Sequence, residues 1–502
     1  MGDWAEVQRD ALIEHVPESD ECLEDMSLRG MVVTTHYSGT GAAEMGVEMV
    51  LPGRVHFHSA CDVSRTCQQV LLQHGPECSP EHVSTDLTAR PPRAVVDRLC
   101  WVLKEYQQKA RGQKRAVTEA VGLEWLKAGM EILQEWTPKR EDIAFCVRHG
   151  RQCPVFPPRA CASTPGRFHL EIDGINCQPW SMAGKRLGWL DDRSIPCLIL
   201  VRTILSVQPD AVCLECTPAF DFASMQKLLR GYRGDYAITC PMDFGIPVRR
   251  KRMYMWFDRV LSLQKVRREV NSILTDSRRS RRVGPEIFFR FPQADVQRFY
   301  YQMARASSQK PDGPPGPKLR RLKVKQPPPC KLRVRDILPA GLRARYEAHR
   351  EKVNSCRSRP GACYVRDINR KATWGSSPQC DYVPTIMRSS MLVALFESDD
   401  DDRLILPREM PGIHGISLPD GVLSKLQPRE VRSLVGNSMH VVQVGGFIQY
   451  ALATRSYRRG PEQCFAFCGT STSVRGDLAA SAGSGPGSAL DWHACVCSRS
   501  DC

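Results

Sequence analysis

Phe168-His169-Leu170-Glu171-Ile172-Asp173-Gly174-Ile175-Asn176-Cys177-Gln178-Pro179-Trp180-Ser181 is the stretch on which the reading of this chain turns. A β-branched and apolar run, Phe168 to Ile172, leads to a break at Gly174 and then to a polar loop holding a Cys and a Pro. Buried strands of open α/β sheets end this way, and ligands bind just outside their carboxyl ends. A Cys in that place is a nucleophile when nearby positive charge or a helix start favours its thiolate. By itself it is more often a half-buried loop thiol. The rest of the chain decides between the two.

Downstream, Ile195 to Val207 has the spacing of an amphipathic helix and is closed by Gln208-Pro209. Ala211 to Leu214 then reads as a buried strand ending at Glu215-Cys216-Thr217-Pro218. A right-handed strand–helix–strand crossover puts Cys177 and Glu215 at one edge of a parallel sheet, a nucleophile beside a carboxyl. Tyr236 to Thr239 and Arg252 to Phe257 are two further strands, separated by Gly245-Ile246-Pro247-Val248-Arg249-Arg250-Lys251-Arg252. Wedged between apolar strands, at least one of these arginines is expected to point into the site.

Upstream, Met31 to His36 is β-rich and runs into Tyr37-Ser38-Gly39-Thr40-Gly41-Ala42-Ala43-Glu44-Met45-Gly46. Strand, Gly-rich turn and helix open a nucleotide-binding α/β unit, because Gly lets the backbone approach a ligand that the helix N-terminus faces. Val55 to Ser59 is a second strand, ending at Ala60-Cys61-Asp62, and Val83 to Leu87 a third edge that carries Asp86. Asp62 and Asp86 suit ribose hydroxyls and an adenine amino group, although each acid alone is more often a helix cap. Val95 to Trp136 has helical periodicity within an insertion at about 91–165. Cys146, His149, Cys153 and Cys161 follow, with a spacing that fits no tidy zinc finger, so no metal site is assigned.

The net charge of +15 is unevenly placed. Asp258 to Cys380 holds 29 Lys and Arg against 10 Asp and Glu, a net of +19, which leaves the remainder slightly acidic. One segment therefore suits a polyanion. Its runs Arg278 to Arg282 and Lys318 to Lys325 flank a Pro/Gly linker from Pro311 to Pro317, with aromatic pairs such as Phe288-Phe289 and Tyr300-Tyr301 interspersed. The 22 Cys are irregularly spread, as expected of reduced thiols in an intracellular protein. No uncharged apolar run reaches the ~18 residues of a membrane span, and no secretory h-region precedes Asp25.

In motif order, these residues resemble the cytosine-5 methyltransferase family. Tyr37, Ser38, Gly39, Thr40 and Gly41 resemble its first motif, Phe-x-Gly-x-Gly, and Gly174 to Ser181 its Pro-Cys-Gln-x-x-Ser loop. Glu215 stands at the Glu-Asn-Val acid, and Arg250 and Arg252 at the arginines of Gln-x-Arg-x-Arg. Arg403 to Glu409 with Gly415 resembles the motif that organises the recognition domain, and Gly436-Asn437-Ser438 the final motif that returns to the cofactor pocket.

The resemblance implies an α/β, Rossmann-like S-adenosylmethionine-dependent methyltransferase sheet with a smaller basic target-recognition domain. Cys177, Glu215, Arg250 and Arg252 would be catalytic. Tyr37 to Gly41, Asp62, Asp86, Asn437 and Ser438 would hold S-adenosyl-L-methionine. The expected layout is a polar lead-in at 1–29, a catalytic domain at 30–257, a recognition domain at 258–400, a return segment at 401–456 and a Gly/Ser/Cys tail at 457–502. About thirty residues precede the first motif, so no large N-terminal targeting domain is expected. The implied partner is DNA, with RNA (tRNA) as the alternative substrate and a nuclear place if the source is eukaryotic. Four positions depart from the family pattern: Asn176 for Pro, Cys216-Thr217 for Asn-Val, Val248 for Gln, and Ala60 for a ribose-binding acid. They leave open a degraded relative that binds cofactor or nucleic acid without turnover.

Overall fold

Six consecutive buried residues, Met31–His36, form β1, the middle of a nine-stranded sheet. In the computed structural model, the residues described are 4–157, 167–182, 184–259, 283–308, 331–357, 361–373 and 381–454. The further strands of the sheet are β2 (Val55–Cys61), β3 (His82–Ser84), β4 (Ile143–Cys146), β5 (Arg151–Pro154), β6 (Phe168–Gly174), β7 (Ala211–Cys216), β8 (Tyr232–Thr239) and β9 (Arg252–Arg259). Their order is β5-β4-β3-β2-β1-β6-β7-β9-β8. β3, β2, β1, β6 and β7 run parallel, and β9 lies antiparallel between β7 and β8. The chain order reverses between β1 and β6, so a ligand crevice opens there at the carboxyl ends.

Helices cover both faces, as a buried parallel sheet requires. On one face lie α1 (Trp4–His15), α2 (Ser19–Arg29) and α3 (Ala42–Val50), beside a late helix, Val441–Ala453. α2, α3 and the late helix share a core with Val33, Leu170 and Ile172. Gly46 of α3 meets Gly445 of the late helix with backbones in contact: a Cβ on Gly445 would lie 2.7 Å from the Gly46 carbonyl and 2.5 Å from the Trp4 ring. Residues 4–29 of the expected polar lead-in thus form two packed helices. Their apolar positions Leu12, Leu23 and Met26 are buried, although their overall composition is polar.

α4 (Arg65–Leu71) packs through Leu71 on Ala60 and Val83, and the other face carries α5 (Arg93–Ala110), α6 (Arg115–Leu133), α7 (Ser194–Val207) and α8 (Phe222–Leu228), which pack on Val212, Leu214 and Met255. Among its described residues the insertion is helical in α5 and α6. Its second half forms the β4–β5 hairpin, which extends the sheet beyond β3.

A second, three-stranded antiparallel sheet joins β10 (Tyr364–Asp367), β11 (Leu392–Leu395) and β12 (Arg403–Leu404). It packs with α9 (Gln293–Ser308) and α10 (Ala340–Cys356) through Val296, Tyr300, Tyr346 and Val353. The strands straddle residue 400, where a domain boundary is expected, because β12 pairs with β11. Arg403 forms a buried pair with both carboxylate oxygens of Glu409 at 2.7 and 2.6 Å, and its guanidinium lies over the Phe289 ring. Glu409 also accepts from the Leu406 amide at 2.8 Å, so this motif locks the small sheet to the segment that follows. α11 (Pro428–Asn437) and the late helix, α12, complete the fold. Residues 1–457 form one compact unit. Arg278 to Arg282, the linker Pro311 to Pro317, Lys318 to Lys325, Cys161 and the tail after Tyr457 lie outside the described residues.

Candidate active site

The Gly-rich turn after β1 is held by its neighbours at every residue. Ser38 exchanges bonds with Cys61 at the end of β2, its Oγ accepting from the Cys61 amide at 2.9 Å. The Gly39 amide donates to Asp62 at 2.9 Å. Gly39 and Gly41 have φ of 59° and 76°, and a Cβ on Gly41 would lie 2.3 Å from the His74 ring. Tyr37 also sits at positive φ, 53°, and its carbonyl presses on Gly174, where a Cβ would lie 3.3 Å away. The ends of β1 and β6 therefore meet backbone to backbone.

Asp62 is spent on this loop, bonding the Gly39 and Ser64 amides, and it stands beside it as a candidate ribose ligand. Ala60 is fully buried against Leu71 and Val83, a position where a carboxylate would be desolvated. Asp86 caps the turn that follows it, accepting from the Thr88 amide and hydroxyl at 2.8 Å. Ser438 is buried and closes the site from the far end of the chain: its Oγ lies 2.9 Å from Thr40 Oγ1, and its carbonyl accepts from Arg250 at 2.6 Å. Asn437, by contrast, is exposed.

Cys177 is half-buried at the start of a turn in which its carbonyl accepts from the Trp180 and Ser181 amides. Asn176, in place of Pro, accepts from the Gln178 amide at 3.1 Å, so an Asx-type bond supplies order that a proline ring would otherwise give. Trp180 pins the loop, packing on Phe220 and Trp189 with ring centroids 4.6 and 5.2 Å away, and Trp189 donates to Asp221. No composition or motif argument reaches this aromatic triangle, because its members are joined only by packing.

Gly174 pairs with Glu215 across β6 and β7, which sets the acid beside the root of the Cys177 loop. Glu215 is buried, and Arg252 Nε lies 2.8 Å from its Oε1, as an ion pair whose N–H is not aligned for a hydrogen bond. Arg250 is buried with its Nε and one terminal nitrogen lacking hydrogen-bond partners among the described residues. Burial and the Arg252 charge lower its pKa to about 10, while Glu215 and Cys177 favour its charged form. Burial pushes the nearby His440 down to about 3 and His414 well below the usual range, so both are neutral beside that cation.

The departures are explained by where the side chains point. Cys216 faces the opposite side of β7 from Glu215 and packs with Val212, Leu214 and Met253. Val248 is fully buried and bridges Val383. Neither carries a polar group to the site.

Sequence reasoning overlooks a buried polar cluster at the switch point. His36 contacts Glu171, lies 3.1 Å from Asp173 and meets Arg90 at 2.7 Å. Burial opposes a charge on His36, but Glu171 and Asp173 outweigh it and raise its pKa. The alternation of β6 places Glu171 and Asp173 on one face, which is the available signal for this cluster.

Residues 167–259 match the family model of the C-5 cytosine-specific DNA methylases. Over these 93 of the chain's 502 residues the chain is similar to that family. The matched segment contains Cys177, Glu215, Arg250 and Arg252, and the family uses S-adenosylmethionine as methyl donor. The type II methyltransferase M.NgoBI of Neisseria gonorrhoeae is 29% identical over 93 residues, 17% of this chain, and the match spans only 29% of that relative. Among solved structures, the S. pombe Dnmt2 methyltransferase overlays with a TM-score of 0.38 at 14% identity, covering 84% of this chain and 98% of its own. A putative DNA modification methyltransferase of an E. coli prophage gives 0.39 at 12%, covering 84% and 98%. No described helix is long and apolar enough to cross a membrane.

Proposed function

We propose that the chain transfers a methyl group from S-adenosyl-L-methionine to carbon 5 of cytosine in DNA, through a covalent adduct of Cys177. The observation that carries this reading is the register of β6 on β7, which joins the Cys177 loop to Glu215, with Arg252 paired to that acid and Arg250 buried beside it.

Carbon 5 is a poor nucleophile until the ring's aromaticity is broken. Cys177 Sγ adds to carbon 6, and electron density then develops at the N3 and O2 edge. Glu215, protonated or hydrogen-bonded to N3, stabilises that density, and Arg252 holds O2. After transfer, the carbon 5 proton passes to solvent, its bonding pair re-forms the carbon 5–carbon 6 double bond, and Cys177 leaves as the thiolate, which restores the base. When bound, S-adenosylmethionine supplies an electrophilic methyl group. Its fit is supported by the cradle of Gly39, Gly41 and Gly174, where a Cβ would crowd the backbone or strain it, and by Ser438 closing on Thr40. A duplex hides carbon 5, so the target base must be flipped out, and the basic segment 258–380 would grip the backbone.

The test is trapping on oligonucleotides carrying 5-fluorocytosine, in DNA and in RNA, with S-adenosylmethionine present. The expected result is a covalent adduct on DNA that Cys177→Ser abolishes. An adduct on RNA alone would replace the substrate with the RNA alternative. No adduct on either, with cofactor bound, would overturn catalysis and leave a binding protein.

A further inference from the structure

At the opposite edge of the large sheet from β8, four side chains from three strands and one turn converge on a common point. They are His82 at the head of β3, Cys146 at the end of β4, His149 in the β4–β5 turn, and Cys153 in β5. Their ligand atoms all lie within 4.8 Å of one another. We propose that these four residues form a structural zinc site, separate from the methyl-transfer site.

The distances carry the argument. His149 Nδ1 lies 3.3 Å from His82 Nδ1, 3.5 Å from Cys146 Sγ and 3.3 Å from Cys153 Sγ. A tetrahedral ion with bonds of ~2.3 Å to sulfur and ~2.05 Å to nitrogen would set its nitrogens about 3.3 Å apart, and sulfur and nitrogen about 3.5 Å apart. The observed spacings agree with that figure. Ordinary hydrogen bonding does not account for them, because one imidazole nitrogen either donates or accepts and cannot satisfy three such neighbours at once. Two sulfurs with two imidazoles select zinc over hard cations.

The surroundings match a zinc turn. Cys146 and His149 are separated by two residues, and Gly150 follows at φ 64°, its amide donating to the Cys146 carbonyl at 2.8 Å. The Val83 amide donates to Cys146 Sγ at 3.3 Å, a bond that would stabilise a thiolate. Glu81 Oε1 stands 3.5 Å from His82 Nε2, in the place of the carboxylate that orients a metal-bound histidine. Both cysteines are buried and free of disulfides, while His149 is exposed, so the site is sheltered yet open to loading.

The fold also gives the ion a purpose. The hairpin meets β3 through a single bridging pair, Ser84 with Cys146, and one further amide bond from Val147 to Val83. Its outward residues Ile143 and Phe145 are exposed, so little apolar burial holds it there. Two short strands alone are marginal. Three ligands from the hairpin and one from β3 would staple the insertion to the parallel sheet.

The full chain, purified without chelator, should contain zinc. Exchange for cobalt(II) should give the intense red-region absorption of a four-coordinate site together with a thiolate charge-transfer band. The double variant Cys146→Ser/Cys153→Ser should lose one metal equivalent. His82→Cys should keep the metal, shift the red-region bands and strengthen the charge-transfer band as a third thiolate joins, a change that a merely structural histidine would not produce. Metal content unchanged in the double variant, a cobalt spectrum unmoved by His82→Cys, or a Cys146–Cys153 disulfide in the purified chain would each overturn the site.

Discussion

Glu44 offers a quantitative test of how the first motif is packed. It lies in the first turn of α3, is 1% exposed, and accepts from Thr35 Oγ1 at 2.7 Å. Burial outweighs that bond and raises its pKa from 4.5 to about 7. The folded state therefore binds the proton more tightly than the unfolded chain does. The associated stability is complete below about 4.5 and is lost as pH rises through about 7. A shift of this size corresponds to about 3 kcal/mol at pH 8. Glu44→Gln keeps the shape and the oxygen that Thr35 donates to, and removes the titration. The variant should match wild type near pH 4 and become more stable as pH rises, gaining about 2.5 kcal/mol between pH 5 and pH 8. Unfolding entropy scales with chain length, and for about 450 residues 1 kcal/mol moves Tm by roughly 1 °C. Thermal melts across that range should thus separate the two proteins by about 3 °C at pH 8. A difference in Tm that stays constant from pH 5 to pH 8 would refute the assignment of a buried, proton-holding Glu44.

Glu215→Gln should reduce methyl transfer by at least about a hundredfold with the fold retained by circular dichroism, since it removes the proton-handling group but not the volume, while Tm falls because Arg252 loses its buried partner; activity near wild type in a tritiated-methyl assay would end the role given to Glu215. Ser438→Ala breaks the contact with Thr40 and should weaken cofactor binding about five-fold, for one hydrogen bond of roughly 1 kcal/mol, as read by calorimetry; an unchanged Kd would detach Ser438 from the cofactor pocket. Gly445→Val drives a side chain into Trp4 and the Gly46 carbonyl. It should cost about 1–3 kcal/mol and lower Tm without touching the site, and a neutral result would refute the tight α3–α12 crossing.

The sequence by itself determined the parts whose physics is local. Alternation and apolar runs mark β1, β6, β7 and β9, because a strand buried on both faces has nothing polar to show. The glycines of the first motif announce a close backbone approach, and the Cys177 loop and Glu215 stand at strand ends that a right-handed crossover brings together. The polar composition of residues 1–29 concealed two helices, since their stability comes from docking on α12 rather than from their own residues.

Only the tertiary structure decided what depends on residues distant in the chain. His82 is sixty-four residues from Cys146, and no spacing rule links them; parallel pairing of β3 beside β2, with the hairpin folded against it, makes them neighbours. Ser438 reaches Thr40 across nearly the whole chain, and Trp180, Trp189 and Phe220 hold the nucleophile's loop through ring packing alone. Side-chain type and period are written in the chain one turn or one pleat at a time. Convergence of a site is set by which strand ends the sheet order places together.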